Sequence, residues 1–380
     1  MAVRKVLRRI NQSKSTLHVL YTFTVSLFLS RTVQRHRGHS LFTDTFLQVA
    51  VISDAAINPT RMLETERAMK TDAFRSAATS CDSSDGTMRV VRFTHIHKMC
   101  WYVNDYLRVL RRVPRSKRVH DFIVCDKDCV DPDMRVLALA KTRKIAASQN
   151  RTISVMPVNV GRHFKFVPLA LRDRWPYERK LPVAYWRGVS TGKCWGLDSD
   201  TAAQRPECAR RNLVVRWSLD NSTKVDIGLA GLVQVPPSLE IRLKRLLKEY
   251  AQIDSILKYK YIVSVEGNDV ATNLKWALAS NSVVLMPRPT RESFILESQL
   301  EPWVHYVPLH HNMEDLEAKV GYCERNKVHC QRISKAATQY MHPFATRKKL
   351  FRLGAEVYEQ HFRKLASWQS NVHQESFLSL

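Results

Sequence analysis

The chain has 380 residues, 44% apolar and 25% charged, with a formal net charge of +25 at pH 7. This composition excludes a disordered chain, and the length exceeds one ordinary core and points to two domains. The positive excess draws polyanions, but basic residues are strewn along the whole chain, with no zinc-finger or RNA-binding aromatic spacing, so no nucleic-acid partner is expected.

At the N-terminus, five basic residues (Arg4, Lys5, Arg8, Arg9, Lys14) precede a mostly apolar run, Leu17–Leu29. The run is short for a membrane span and carries His18, Thr22, Thr24 and Ser26. It reads as a weak signal-anchor, as a basic amphipathic helix lying on a membrane, or as a helix packed on the domain. Asn11, Asn150 and Asn221 each begin an Asn-x-Ser/Thr glycosylation triplet, a pattern common by chance. Eight cysteines form no Cys-x-x-Cys pair, which argues against a structural zinc. Cys194 with Cys208, and Cys323 with Cys330, are spaced for disulfides; buried free thiols are the alternative.

Residues 53–90 are polar and read as a loop between elements. From Trp101 to Arg112 apolar residues recur at helical spacing. Asp121 to Asp126 is a short apolar run ending in an acid, the signature of a buried parallel strand feeding a loop. Met134–Ala147 reads as the following helix and Thr152–Pro157 as the next strand. Val167–Pro182, with three prolines, reads as a linker. Beyond it come strand Val183–Gly188, helix Leu239–Ile256, strand Tyr261–Val265, helix Ala271–Ala279 and strand Ser282–Met286. Two helical stretches, Leu316–Tyr340 and Arg347–Trp368, close the chain. The alternation of strand and helix makes the fold class α/β.

Four stretches carry chemistry. Lys258–Trp276 is a strand, a sharp turn at Gly267 and a helix start near Thr272 and Asn273, where free N–H groups and Lys275 could seat a diphosphate. Its plain alternative is an ordinary strand–helix unit whose glycine serves the turn. Tyr185–Gly192 places Arg187 at a strand end before Gly188, Ser190 and Thr191, and arginine forks onto phosphate. Phe294–Pro308 offers Glu297 for a ribose diol, with Trp303, His305 and Tyr306 on a strand with a packing face. Asp126 and Asp128 follow an apolar strand: one carboxylate there can act as general base, or the two can form a metal-binding Asp-x-Asp. Asp198-Ser-Asp200 is a second such triplet.

Together these stretches resemble family 90 of the glycosyltransferases, which includes lipopolysaccharide-modifying enzymes, capsule-associated transferases and protein O-glucosyltransferases. The resemblance rests on Tyr261–Leu285, with its Glu-Gly-Asn-Asp and Leu-Lys-Trp, on Pro302–Pro308, and on the Trp-Arg-Gly of 186–188. It implies a GT-B-type fold: two Rossmann-like domains facing a central cleft, with a C-terminal helix crossing back. The corresponding boundaries are a basic N-terminal segment (1–40), an acceptor-side domain (41–180), a nucleotide-sugar domain (181–345) and the C-terminal helix (346–380). It also implies inverting transfer of a sugar, glucose or xylose, from a UDP-sugar to a glycan, lipopolysaccharide or other lipid-linked glycan, or protein hydroxyl. No metal is expected. By the same resemblance Asp126 is the general base, and Arg187, Gly188, Ser190, Thr191, Gly267, Asn268, Asp269, Thr272, Asn273, Lys275 and Glu297 bind the donor.

The protein O-glucosyltransferase branch carries arginine where this chain has Asn273, and Arg-Gly where it has Glu266-Gly267, so the pattern looks more like the lipopolysaccharide-modifying branch. The expected location is at a membrane, in the Golgi or endoplasmic-reticulum lumen, or on the cytoplasmic face of a bacterial inner membrane. The competing readings are a metal-dependent transferase using Asp126 and Asp128, and a basic polyanion-binding protein on an inactive transferase fold.

Overall fold

The computed structural model describes residues 46–48, 50–51, 57, 61, 88–92, 101–117, 121–125, 138–145, 153–192 and 194–378. The apolar run 17–29, Asp126 and Asp128 lie outside the described residues. The chain divides into units 1–46 and 47–380, and the elements below all belong to the second.

The strands are β1 (Met88–Arg92), β2 (Asp121–Cys125), β3 (Ala138–Ala140), β4 (Thr142–Lys144), β5 (Ile153–Val155), β6 (Leu181–Val189), β7 (Val225–Gly231), β8 (Tyr259–Val263), β9 (Val283–Met286), β10 (Arg291–Ser293) and β11 (Val307–Pro308). The helices are α1 (Trp101–Leu110), α2 (Val160–His163), α3 (Val167–Ala170), α4 (Ser199–Ala203), α5 (Ala209–Trp217), α6 (Pro237–Lys244), α7 (Ile253–Ile256), α8 (Leu274–Leu278), α9 (Leu316–Arg325), α10 (Lys327–Met341) and α11 (Arg347–Leu378). The protein is mixed α/β.

Five strands form a parallel sheet in the order β11-β9-β8-β6-β7. Alternate residues of its strands, among them Trp186, Ile227, Tyr261, Val263 and Leu285, pack with Leu213 and Trp217 of α5, Leu316 and Val320 of α9, and Ile333 of α10. Burial at every position of β9, with no polar alternation, is what a strand covered on both faces requires.

A second sheet has the order β1-β2-β3-β5, with β1 antiparallel to β2 and the remaining pairs parallel. The terminal helix α11 lies against α1 and β5. The approach is close at Gly354, where an added Cβ would meet Pro157 at 2.8 Å and Val109 at 2.9 Å. Ser154 on β5 hydrogen-bonds His361 of α11 at 2.8 Å.

A third, two-stranded ribbon pairs β4 with β10. Its buried Arg143 meets the buried Glu292 at 2.7 Å and also donates to the carbonyl of Ile153. A guanidinium this deep requires such a partner, because an isolated buried charge is very costly.

Several expectations change. Where a helix was read over Met134–Ala147, the described residues form β3 and β4. Ala138, Leu139 and Ala140 are all fully buried, and a short apolar run buried on all sides has no period to tell strand from helix. The helix read over Leu239–Ile256 is broken: after α6 the backbone of Leu246 and Lys248 bonds Leu229 on the edge strand β7, and α7 follows. Helical reading of Leu316–Tyr340 holds except at Asn326, whose φ of −118° and ψ of 48° separate α9 from α10. Cys323 and Cys330 form a disulfide across that break, and Cys194 and Cys208 form another. The stretch read as a linker holds α3 and a short 3-10 turn at Tyr177–Arg179, and β6 begins at Leu181. Trp303–Tyr306 is a turn rather than a strand: Trp303 has φ of +65° and donates its N–H to the Tyr306 carbonyl.

Candidate functional site

The order of the five-stranded sheet fixes where a ligand can enter. From β6 the chain moves outward to β7, then returns past β6 to β8 and continues the other way to β9 and β11. β6 and β8 are therefore neighbours whose connections diverge. The crevice beyond their carboxyl ends is the switch point at which open α/β sheets bind ligands.

Arg210, in the first turn of α5, fills that crevice. Its Nη1 donates to the Val189 carbonyl at 3.2 Å and to Thr191 Oγ1, and its Nη2 to the Val265 carbonyl at 3.0 Å. The guanidinium thus ties the end of β6 to the end of β8. All three acceptors are neutral, and Arg210 makes no ion pair among the described residues, so its charge stays available to an anion. Burial, opposed chiefly by Asp269, lowers its pKa to about 10, which leaves it cationic at neutral pH. Gly267 makes room for it: a Cβ there would lie 2.6 Å from Arg210 Nη1.

Beside Arg210 opens a shallow cleft, lined by Pro206, Glu207 and Ala209 around the start of α5, by Ser264 and Glu266 after β8, by Met286–Thr290 after β9, and by Val270, Ala271, Leu274 and Glu297. Glu266 accepts hydrogen bonds from Thr290 N, Thr290 Oγ1 and Arg291 N, which fixes the loop after β9. Burial raises its pKa above the usual carboxylate value. Arg288 stands exposed on that loop with no hydrogen bond or ion pair among the described residues. Exposed Arg162 on α2 also lacks both, and its charge acts on Arg210 and on His163. Three arginines without an ion pair among the described residues are therefore associated with this region: Arg210 at the switch point, Arg288 on the cleft wall, and Arg162, whose charge acts on Arg210.

The residues singled out in the sequence scatter around this centre. Thr191, Gly267 and Asp269 gather at Arg210, although Asp269 is ion-paired with Lys141 at 2.5 Å. Glu297 reaches the cleft wall, but its carboxylate is held by Lys275 at 2.8 Å and by Ser293 N and Oγ, so both residues are fixed by each other rather than offered to phosphate or ribose. Arg187 lies elsewhere: both Nη2 contacts go to the Asp226 carboxylate, at 2.8 and 2.9 Å, and its guanidinium lies over Tyr185. Gly188 accommodates the Trp186 ring, 2.6 Å from a Cβ placed there.

The Ser190 hydroxyl is bound on both sides by the backbone of Val233, and Asn268 donates to Gln234. Asn273 turns its amide back to the Val263 carbonyl and to Ser264, and the helix it precedes, α8, has five residues. So short a helix offers little dipole, and half-buried Thr272 before it makes no side-chain hydrogen bond among the described residues. Asp198 caps α4 through the N–H and hydroxyl of Thr201, which accounts for the Asp198-Ser-Asp200 triplet. His305 is structural: it accepts from Glu301 N, and burial lowers its pKa to about 4.

The glycosyl transferase family 90 model matches residues 151–375. The chain belongs to this family. Every candidate residue from Arg162 to Glu297 falls within the family 90 segment; Lys141 and Asp126 precede it. Relatives include the O-glucosyltransferase LpsA of Dichelobacter nodosus, 32% identical over 205 residues that make up 54% of this chain and 55% of that protein. Protein O-glucosyltransferase 3 of Homo sapiens is 30% identical over 149 residues, 38% of this chain and 28% of its own length. Protein O-glucosyltransferase 1 of Rattus norvegicus is 26% identical over 187 residues, 49% of this chain and 43% of its own. The match thus spans about half, or less, of each of these relatives.

Arg210 was missed in the sequence because nothing around Cys208-Ala-Arg-Arg marks it; the indirect signal was Gly267, whose missing side chain is the space Arg210 occupies. Arg288 and Arg162 carry no local motif at all.

Proposed function

We propose that this family 90 chain is an inverting glycosyltransferase that moves a sugar from a UDP-sugar to a hydroxyl of a glycan, a lipid-linked glycan or a protein. The observation that carries the reading is Arg210, a cation fixed by neutral oxygens across the switch point between β6 and β8. In this reading the nucleotide occupies the cleft beside Arg210, and the diphosphate meets Arg210, Arg288 and Arg162. As the acceptor oxygen attacks the anomeric carbon, the bond from that carbon to the diphosphate oxygen breaks. The arginines stabilise the charge that develops on the leaving diphosphate, the task a divalent metal performs in other transferases. The acceptor proton passes to a general base, assigned to Asp126 on the family resemblance.

The two sheets then correspond to the acceptor and donor halves of a GT-B arrangement, with α11 returning to the first. The sugar is glucose or xylose by the same resemblance, which the names of the O-glucosyltransferase relatives support for glucose. Two disulfides among the described residues support an oxidising compartment, such as a secretory lumen, over the cytoplasm. Among the described residues no helix is long and apolar enough to cross a membrane.

A thermal-shift screen against UDP, GDP, CMP and their common sugars, with and without EDTA, tests the reading. A rise with uridine nucleotides that survives EDTA is expected. No rise with any nucleotide would leave only a basic polyanion-binding protein on a transferase fold.

A further inference from the structure

Of the three Asn-x-Ser/Thr triplets in the chain, those at Asn11 and Asn150 lie outside the described residues. The third, Asn221-Ser222-Thr223, occupies the connection between α5, which ends at Trp217, and β7, which begins at Val225. Asn221 and Thr223 are exposed, and residues 220–222 are neither helix nor strand.

The connection holds its shape without the two outer members of the triplet. Ser222 N donates to Asp220 Oδ1 at 2.7 Å, and Lys224 N donates to Ser222 Oγ at 3.1 Å. Short polar side chains thereby satisfy the backbone of the turn. The Asn221 amide and the Thr223 hydroxyl make no hydrogen bond among the described residues. Other asparagine amides are committed: Asn268 to Gln234, Asn281 to the carbonyls of Asp173 and Trp175, and Asn326 to the Tyr322 carbonyl. Asn221 thus leaves free the amide nitrogen that N-glycosylation joins to sugar, and Thr223 leaves free the hydroxyl at the triplet's third position.

The place of the connection suits a bulky, hydrophilic attachment. It precedes the first residue of β7, so it lies at the amino end of the parallel sheet, whereas the crevice holding Arg210 lies at the carboxyl ends. The seven residues of β7 separate the two by roughly 23 Å. An oligosaccharide on Asn221 would project into solvent and leave the donor cleft open.

We infer that Asn221 is an N-glycosylation site, modified when the chain enters a secretory lumen. In the step, a bond forms between Asn221 Nδ2 and the anomeric carbon of an oligosaccharide carried on a lipid diphosphate. The bond from that carbon to the diphosphate oxygen breaks, the lipid diphosphate leaves with the electron pair, and Nδ2 gives up one proton to a base of the modifying enzyme. The Cys194–Cys208 and Cys323–Cys330 disulfides fit the same oxidising compartment. The inference rests on the lumenal part of the functional reading and not on the reaction assigned to the cleft.

The test uses the full chain made in a eukaryotic secretory host. Trypsin cuts after Arg216 and Lys224 and releases Trp217–Lys224, a peptide whose single asparagine is Asn221. Peptide N-glycosidase in heavy-oxygen water turns a glycosylated asparagine into labelled aspartate, so mass spectrometry of this peptide reads the site directly. Most of the peptide is expected to carry the label. Thr223→Ala should abolish it, and Thr223→Ser should retain it in part, because serine keeps the hydroxyl.

An unlabelled peptide from a chain whose Cys194 and Cys208 resist alkylation overturns the inference, since that chain has met the lumen and Asn221 has been passed over. An unlabelled peptide with both thiols alkylated overturns it together with the lumenal reading. Label that persists in Thr223→Ala also overturns it, by revealing spontaneous deamidation in place of a glycan.

Discussion

Gly267 and Arg210 share one volume: a Cβ on Gly267 would lie 2.6 Å from the Arg210 Nη1 and 2.7 Å from its Cζ. The clash would fall on the far end of a flexible side chain, which can swing away. Gly267→Ala should therefore cost little stability yet move the guanidinium off Val189, Thr191 and Val265. Charge-assisted contacts contribute about 1.5–3 kcal/mol, so UDP affinity should fall roughly 10- to 100-fold while the melting temperature stays within a few degrees. Unchanged affinity would mean that the position of Arg210 is not what holds the nucleotide.

Two arginines invite a direct comparison. Arg187 is committed to Asp226, whose side chain is 32% exposed, in a pair that also includes Lys248. Arg210 has no acidic partner within ion-pairing distance among the described residues. Arg187→Ala should leave UDP affinity within about twofold and cost about 1–3 kcal/mol of stability, as expected for hydrogen bonds made by a charged side chain that is 8% exposed. Arg210→Ala should lower UDP affinity by at least tenfold, in line with the loss of a charged contact to phosphate. Titration calorimetry on both variants decides it, and a larger loss in Arg187→Ala would return the phosphate to the Trp-Arg-Gly stretch.

The contrast between these arginines also marks what a sequence can and cannot convey. The Trp186-Arg187-Gly188 tripeptide was legible as part of a family pattern, and β6, β8 and β9 were legible as continuous apolar runs, because those properties are local. Whether a guanidinium is free is not local: it depends on Asp226 arriving from the neighbouring strand β7, 39 residues away. Likewise Lys275 and Glu297 looked like two separate ligand groups, and only the fold reveals that they neutralise each other. Arg210 stands out solely by what it lacks among the described residues, an acidic partner, which no motif encodes. Asn273 was legible as the start of a helix, yet the brevity of α8 was not, because tertiary packing rather than propensity sets the length of so short an element.

The disulfide between Cys194 and Cys208 closes a loop with a sequence separation of 14, and Cys208 immediately precedes α5. It fixes the segment that supplies Pro206 and Glu207 to the cleft wall and Arg210 to the switch point. The Cys194→Ser, Cys208→Ser double variant should lose about 3 kcal/mol of stability, the entropy released to a loop of that size in the unfolded chain. It should also bind UDP more weakly at temperatures where it is still folded. Full UDP affinity in the folded double variant would show that packing of Trp195 and Leu213, not the bond, positions α5.

Acid should destabilise the protein through its buried histidines. His361 is 2% exposed, and burial lowers its pKa to about 3, against 6.5 for a free imidazole. In the window between those values the unfolded chain takes up a proton that the folded chain refuses. Its contribution is therefore complete above pH 6.5 and is lost as the pH falls toward the folded value. The slope is about 1.4 kcal/mol per pH unit for one proton. Lowering the pH from 6.5 to 5 should thus remove about 2 kcal/mol through His361 alone, and His305 adds to the loss over the same range because its pKa is lowered to about 4. Urea denaturation at a series of pH values measures the slope. In His361→Gln, which can still hydrogen-bond Ser154, the slope should drop by one proton while the mid-range stability changes less. An identical slope in that variant would mean that His361 is protonated in the folded state, and that the contact between α11 and β5 is looser than the 2.8 Å hydrogen bond to Ser154 implies.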